Sequence, residues 1–238
     1  MSAVSEFVVD EAEVEAVQDD GDTASSRLTF QAEHLEQRVI RYAPGRSGPH
    51  TPEGRHELLY VVAGGGELEL EGARHQLEQG TAAFVAPGET FAVENPGPGE
   101  LLVVGVSARA DLNVADDRRK VTVRFDDQAE HTASVERRFR YLINQDAGCL
   151  DVTQFIGIVE PSKAPFHSHP YEELGYIVQG EGVAHVGGQS IALRPGSCFH
   201  LPPEKVHCIE NVGPELMYIL GVFHPSDSPA NRVYQDNK

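Results

Sequence analysis

Between positions 28 and 107 the apolar residues come in short bursts, RVIRYAPG, ELLYVVAGGGELELEG and TAAFVAPGETFAVENPGPGELLVVGVS, each broken by glycine or proline. Bursts this short, with polar residues alternating through them and turn residues between them, predict β-strands. The pattern gives way to a more charged interval, ADLNVADDRRK through DDQAEHTASVERR, and resumes from RFRYLIN to GVFHPS. Residues 1–26 are acidic and rich in small side chains; they read as a flexible, solvated tail in which SEFVV could form a short edge strand. The rest divides into a strand-rich unit at 27–110, a linker at 111–138 where VTVRF could add an edge strand, a second strand-rich unit at 139–225, and a polar tail at 226–238.

Displacing the sequence by 116 residues superposes the two strand-rich units. Glu57 falls on Glu173, Tyr60 on Tyr176, Gly64 on Gly180, Gly66 on Gly182, Gly80 on Gly196, Pro87 on Pro203 and Asn95 on Asn211. Glycine and proline fix backbone geometry, so their recurrence in register means that the same turns recur. The chain is read as two copies of one all-β unit.

The second copy carries the chemistry. It opens PFHSHPYEELGYIVQGEG and closes PGSCFHLPPEKVHCIEN, presenting His167, His169, Glu173 and His207. Residues two apart on a strand share a face, so His167 and His169 point together, with Glu173 if the strand runs on. His207 follows a Pro-Pro turn, and an antiparallel partner strand returns it over the other three. In the first copy the same displacement finds Thr51, Glu53, Glu57 and Phe91, and only the glutamate survives. His50 and His56 have the wrong strand parity relative to Glu57 unless the loop breaks the register.

His167-x-His169-x3-Glu173-x6-Gly180 resembles the first motif of the cupin superfamily, and Gly196-x5-Pro202-x-Glu204-x2-His207-x3-Asn211 resembles the second. With two copies the chain is similar to a bicupin over about residues 28 to 224. Pro161 and Glu204 stand where these motifs usually carry glycine, whereas the first copy keeps Gly88 at the latter place. The resemblance implies two tandem double-stranded β-helix barrels of the cupin or jelly-roll type, with a metal site in the C-terminal one only. It further implies a metal-dependent small-molecule enzyme, with a dioxygenase as the leading class. Isomerase, decarboxylase and hydrolase chemistry, or metal binding without catalysis, remain as alternatives.

Three imidazoles and a carboxylate suit one divalent transition metal per chain, Fe(II) or Mn(II) first, with Ni, Co or Zn open. Four ligands on an octahedral ion leave two positions for water or substrate, the mark of a catalytic site. Tyr171, Tyr176, His185 and His200 are candidates to support that site, although a tyrosine on a strand is more often packing and either histidine can lie on an outer face. Glu172 neighbours Glu173 and is expected to be a charge on the rim.

A formal charge of -18 disfavours nucleic acid and anionic membranes as partners and by itself says nothing positive about a substrate; the small-molecule substrate is what the resemblance implies. Three cysteines without a CxxC pair, no membrane-length apolar run and no secretory leader favour a cytoplasmic protein. Edge strands make a homodimer plausible.

Overall fold

Strand Arg55–Ala63 and its counterpart Glu172–Gln179 are buried along nearly their whole length, which a strand achieves only when both of its faces are covered. One face of each looks into its own barrel and the other lies against the neighbouring barrel. Leu59 and Val61 turn inward with Leu68, Leu77 and Val93. Leu58 and Tyr60 turn outward and join a cluster shared with Leu174, Tyr176 and Leu220. Ile177, Phe199 and Leu201 fill the second barrel with Ala184 and Met217. The computed structural model, which describes residues 6–112 and 114–234, is therefore an all-β pair of barrels joined through the outer faces of their larger sheets.

In the first barrel a seven-stranded sheet runs Thr122–Arg124, Thr81–Val85, Arg55–Ala63, Leu101–Arg109, Leu35–Tyr42, Ala24–Gln31 and Val17–Gln18. A four-stranded sheet of Gly45–Arg46, Phe91–Asn95, Gly65–Leu70 and Ala73–Glu78 faces it. The second barrel repeats this plan. Its larger sheet is ordered Val8–Asp10, Ser197–Leu201, Glu172–Gln179, Met217–His224, Thr153–Val159, Arg137–Ile143 and His131–Ser134. Its smaller sheet is centred on Gly182–Val186 and His207–Asn211.

Each barrel takes an edge strand from the segment that precedes the other. Val8–Asp10 pairs with the second barrel, Val8 opposite Phe199, and Thr122–Arg124 pairs with the first, Thr122 opposite Ala83. The stretch read as a solvated tail is thus structural wherever it is described. Phe7 and Val8 are buried, and Glu11 is held by two bonds of 2.8 and 2.6 Å from the Arg41 guanidinium. The acidic composition of 1–26 hides those few apolar anchors; residues 1–5 lie outside the described residues. The C-terminal polar tail is likewise used, since Val233–Tyr234 pairs with His167–Ser168, whereas 235–238 lie outside the described residues. Among the described residues no helix is long and apolar enough to cross a membrane.

Two glycines keep the second barrel open to large rings. A Cβ on Gly175 would overlap the Phe199 ring, and one on Gly221 the ring of Phe155. Gly175→Ala is expected to cost about 1–3 kcal/mol through overpacking, read as a lower midpoint in chemical denaturation.

Candidate metal centre

His167 lies on the short strand His167–Ser168, and His207 opens the strand His207–Asn211 directly opposite it. His169 follows at the turn, and Glu173 sits near the start of Glu172–Gln179. The turn before His207 is tied to the same place, because the N–H of Glu204 donates to the His169 carbonyl at 2.8 Å. Glu204 holds φ at 61°, where the equivalent Gly88 has 84°. The left-handed turn survives the loss of its glycine, at the backbone cost a side chain incurs there.

One device, used three times, orients the imidazoles. Nδ1 of His167 faces the Pro165 carbonyl at 3.1 Å, Nδ1 of His169 the Tyr171 carbonyl at 2.8 Å, and Nδ1 of His207 the Lys205 carbonyl at 2.8 Å. A carbonyl only accepts, so a proton is assigned to each Nδ1, and in the neutral ring Nε2 then carries a lone pair. Burial, then the neighbouring His207 and Arg232, push the His167 imidazole down to about 3. Burial pushes His207 down to about 4, although Glu173 pulls the other way. Both rings are neutral at pH 7.

The donor set fits a cation. Ligand atoms of His169, Glu173 and His207 lie within 4.8 Å of one another. The His167 ring adjoins them, its centroid 4.4 Å from that of His207. Nε2 of His169 is buried without a hydrogen-bond partner, although Oε2 of Glu173 is only 3.0 Å away. That contact lacks hydrogen-bond alignment, and in the neutral ring, with its proton on Nδ1, it sets one lone pair against another. A positive ion between them turns this repulsion into ligation.

These residues line a cavity of about 70 Å³, walled mainly by Phe139, Phe155, Phe223 and Ile219, with Arg137 and Arg232 beside them. Arg137 is committed to Ser162 Oγ and the Ile209 carbonyl. Arg232 makes no ion pair among the described residues. It arrives on the C-terminal segment that reads from sequence as a tail, and no sequence signal marks it beyond an isolated arginine in SPANR.

Of the four supporting candidates only Tyr171 reaches the site. Its ring stacks on His169 with centroids 4.1 Å apart and planes 11° apart, and its hydroxyl lies 3.3 Å from the carbonyls of Ser228 and Asn231. Burial raises its phenol above the usual range, so it acts as a support rather than a proton carrier. Tyr176 belongs to the cluster between the barrels. His200 faces the same junction, 3.4 Å from Glu172. His185 bonds Ser190 and Glu210 at 2.9 and 2.7 Å on the smaller sheet. None of these three lines the cavity. Glu172 is no rim charge: it is 3% exposed and accepts the N–H groups of Glu33, His34 and Leu35 from the first barrel. Its alternation with Glu173 already placed it on the opposite face.

The first barrel departs from the gapless repeat. His50, not Thr51, pairs with Phe91 as His167 pairs with His207. The N–H of Gly88 donates to Pro52 as that of Glu204 donates to His169. The counterparts of the four candidates are thus His50, Pro52, Glu57 and Phe91, because the turn before Glu57 is one residue longer than that before Glu173. Proline and phenylalanine cannot ligate, and no trio of ligand-type groups gathers in this barrel among the described residues. Burial raises the Glu57 carboxyl to about 7.

Two facing β-barrels, with a gathering of imidazoles and a carboxylate inside the second, define a two-domain barrel protein with a candidate metal centre. The sequence matches the cupin domain model twice, at residues 38–105 and 155–223, more than half of the chain; it belongs to the cupin family. The fold is similar to that of a Bacillus subtilis oxalate decarboxylase mutant at 14% identity, covering 98% of this chain and 80% of that one, with a TM-score of 0.74. It is similar also to Ylba from E. coli at 15% identity, covering 93% and 91%, with a TM-score of 0.78. A putative glyoxylate-induced protein from Pseudomonas aeruginosa is 18% identical, covering 98% and 92%, with a TM-score of 0.76. Among curated sequences, the uncharacterized protein MJ1618 of Methanocaldococcus jannaschii is 32% identical over 65 residues. That alignment spans 27% of this chain and about half, 52%, of that protein.

His207→Phe, which installs the residue of the first barrel, is expected to bind one metal equivalent fewer than the parent chain by elemental analysis. In metal-free protein, His167 and His207 are neutral when folded but protonated when unfolded between about pH 6.5 and their lowered values of about 3 and 4. Proton uptake therefore favours unfolding as pH falls through that window. Thermal melts are expected to drop across it, less steeply in His207→Phe.

Proposed function

We propose that this chain is a metal-dependent enzyme acting on a small organic anion, with one active site in the second barrel. His167, His169, Glu173 and His207 hold the ion. The observation that carries this reading is the contact between the bare Nε2 of His169 and the Glu173 carboxylate, in a cavity with room beyond the side chains themselves. A bound divalent ion supplies Lewis-acid polarisation or an electron partner for dioxygen. The protein supplies the rest. Carbonyls hold the three rings in the ligating tautomer, and Tyr171 braces His169 from its flat face. Phe139, Phe155 and Phe223 exclude water, which strengthens every charge interaction inside the cavity. Arg232, without an ion pair among the described residues, offers a guanidinium suited to a carboxylate.

Within this class we favour an Fe(II)- or Mn(II)-dependent dioxygenase, supported by the three-histidine, one-carboxylate set and the dry aromatic walls. Chain loaded anaerobically with Fe(II) is expected to consume oxygen in proportion to a small carboxylic acid substrate, measured at an oxygen electrode. Turnover under nitrogen without oxygen uptake would instead assign an isomerase or decarboxylase. A ligand recovered chemically unchanged would assign a binding protein. Arg232→Gln is expected to raise KM about tenfold with little change in kcat, the worth of one charge-assisted hydrogen bond.

A further inference from the structure

A second gathering of ligand-type side chains lies at the junction of the barrels. Asp111 follows the first-barrel strand Leu101–Arg109; Asp151 precedes Thr153–Val159; His224 ends Met217–His224. Their ligand atoms lie within 4.8 Å of one another although the residues are far apart in sequence. Asp151 is fixed in orientation, its Oδ2 facing His56 Nε2 at 2.8 Å and accepting the N–H groups of Asp111 and Leu112 at 3.2 and 3.1 Å. No hydrogen bond reaches its Oδ1 among the described residues.

His224 is the independent pointer to a ligand. It is 5% exposed, and neither ring nitrogen has a hydrogen-bond partner. Its Nε2 is aimed at Asp111 Oδ2 from 3.6 Å, beyond hydrogen-bond length. The His34 ring stacks on it at 4.7 Å, and Nδ1 of His34 is also buried and unpartnered. A buried imidazole with both nitrogens idle is disfavoured unless something occupies the gap.

We propose that this junction binds a second divalent cation, held by His224, Asp111 and Asp151, with zinc the best match to one imidazole and two carboxylates. Tetrahedral ligands about 2.0–2.2 Å from zinc stand about 3.5 Å apart, so the present spread closes by small side-chain movements. Arg109, which now pairs with Asp111 through contacts of 2.8, 3.0 and 2.9 Å, is 51% exposed and gives way by turning into solvent. The ion clamps the end of one strand of the first barrel to the ends of two adjacent strands of the second.

The test is zinc stoichiometry after equilibrium dialysis of the full chain, by elemental analysis. His224→Asn and Asp111→Asn are each expected to bind one equivalent fewer than the parent. Zinc is expected to raise the Tm of His207→Phe but not of His207→Phe combined with Asp111→Asn. Asp111 is 42% exposed, so its replacement keeps the fold, checked by circular dichroism. Unchanged stoichiometry in Asp111→Asn, or equal zinc-induced Tm shifts with and without it, would overturn the proposal. Failure of the barrel site would show separately, as His207→Phe binding as much zinc as the parent.

Discussion

Nε2 of His169 and Oε2 of Glu173 stand 3.0 Å apart, buried, with no proton aligned between them. Much of the second barrel serves to hold that contact in place. Carbonyls at Pro165, Tyr171 and Lys205 fix the Nδ1 protons; ligand atoms of His169 and His207 gather with the carboxylate, and the His167 ring adjoins them. The strand pairing of His167 with His207 closes the set, and the Glu204 turn locks the second strand onto the first. A donor set arranged with its lone pairs facing suits a positive charge between them, and the backbone geometry presents it as a candidate metal centre.

The two halves show what remains of a barrel when that requirement is dropped. Strand order, left-handed turns and inward packing persist in the first barrel, while Pro52 and Phe91 occupy ligand places. Its Glu57, left without imidazole partners, is a buried acid with a raised pKa. The outer faces are conserved in role as well: Glu172 receives the N–H groups of the 33–35 turn, and His56 at the equivalent position meets Asp151. The barrels are thus sewn together by buried polar contacts at the ends of a large apolar junction.

Much of this was legible in the sequence, for physical reasons. Recurring Gly and Pro marked the duplicated turns, and alternation paired His167 with His169. Glu173 was added on the condition that the strand ran on, whereas the strand breaks between Ser168 and Glu172 and the turn there brings Glu173 to His169. The same alternation put Glu172 on the opposite face but did not show that this face is covered by the first barrel, where Tyr176 and His200, expected as supports of the site, also lie. Where the backbone leaves regular geometry the signal stops. An extra residue in the turn after His50 shifts the repeat by one, and no period exists there to reveal it. Phe7 and Val8 were masked by acidic neighbours, and Arg232 reaches the cavity only through the pairing of Val233–Tyr234 with His167–Ser168.

The most direct measurement is a long-range proton–nitrogen NMR spectrum of the histidine rings, recorded metal-free and after loading with diamagnetic zinc. The account predicts protonated Nδ1 and bare Nε2 for His167, His169 and His207 in the free protein. On loading, the three Nε2 resonances move and the Nδ1 protons stay. Protons found on Nε2 of those rings, or Nε2 resonances indifferent to the ion, would contradict it.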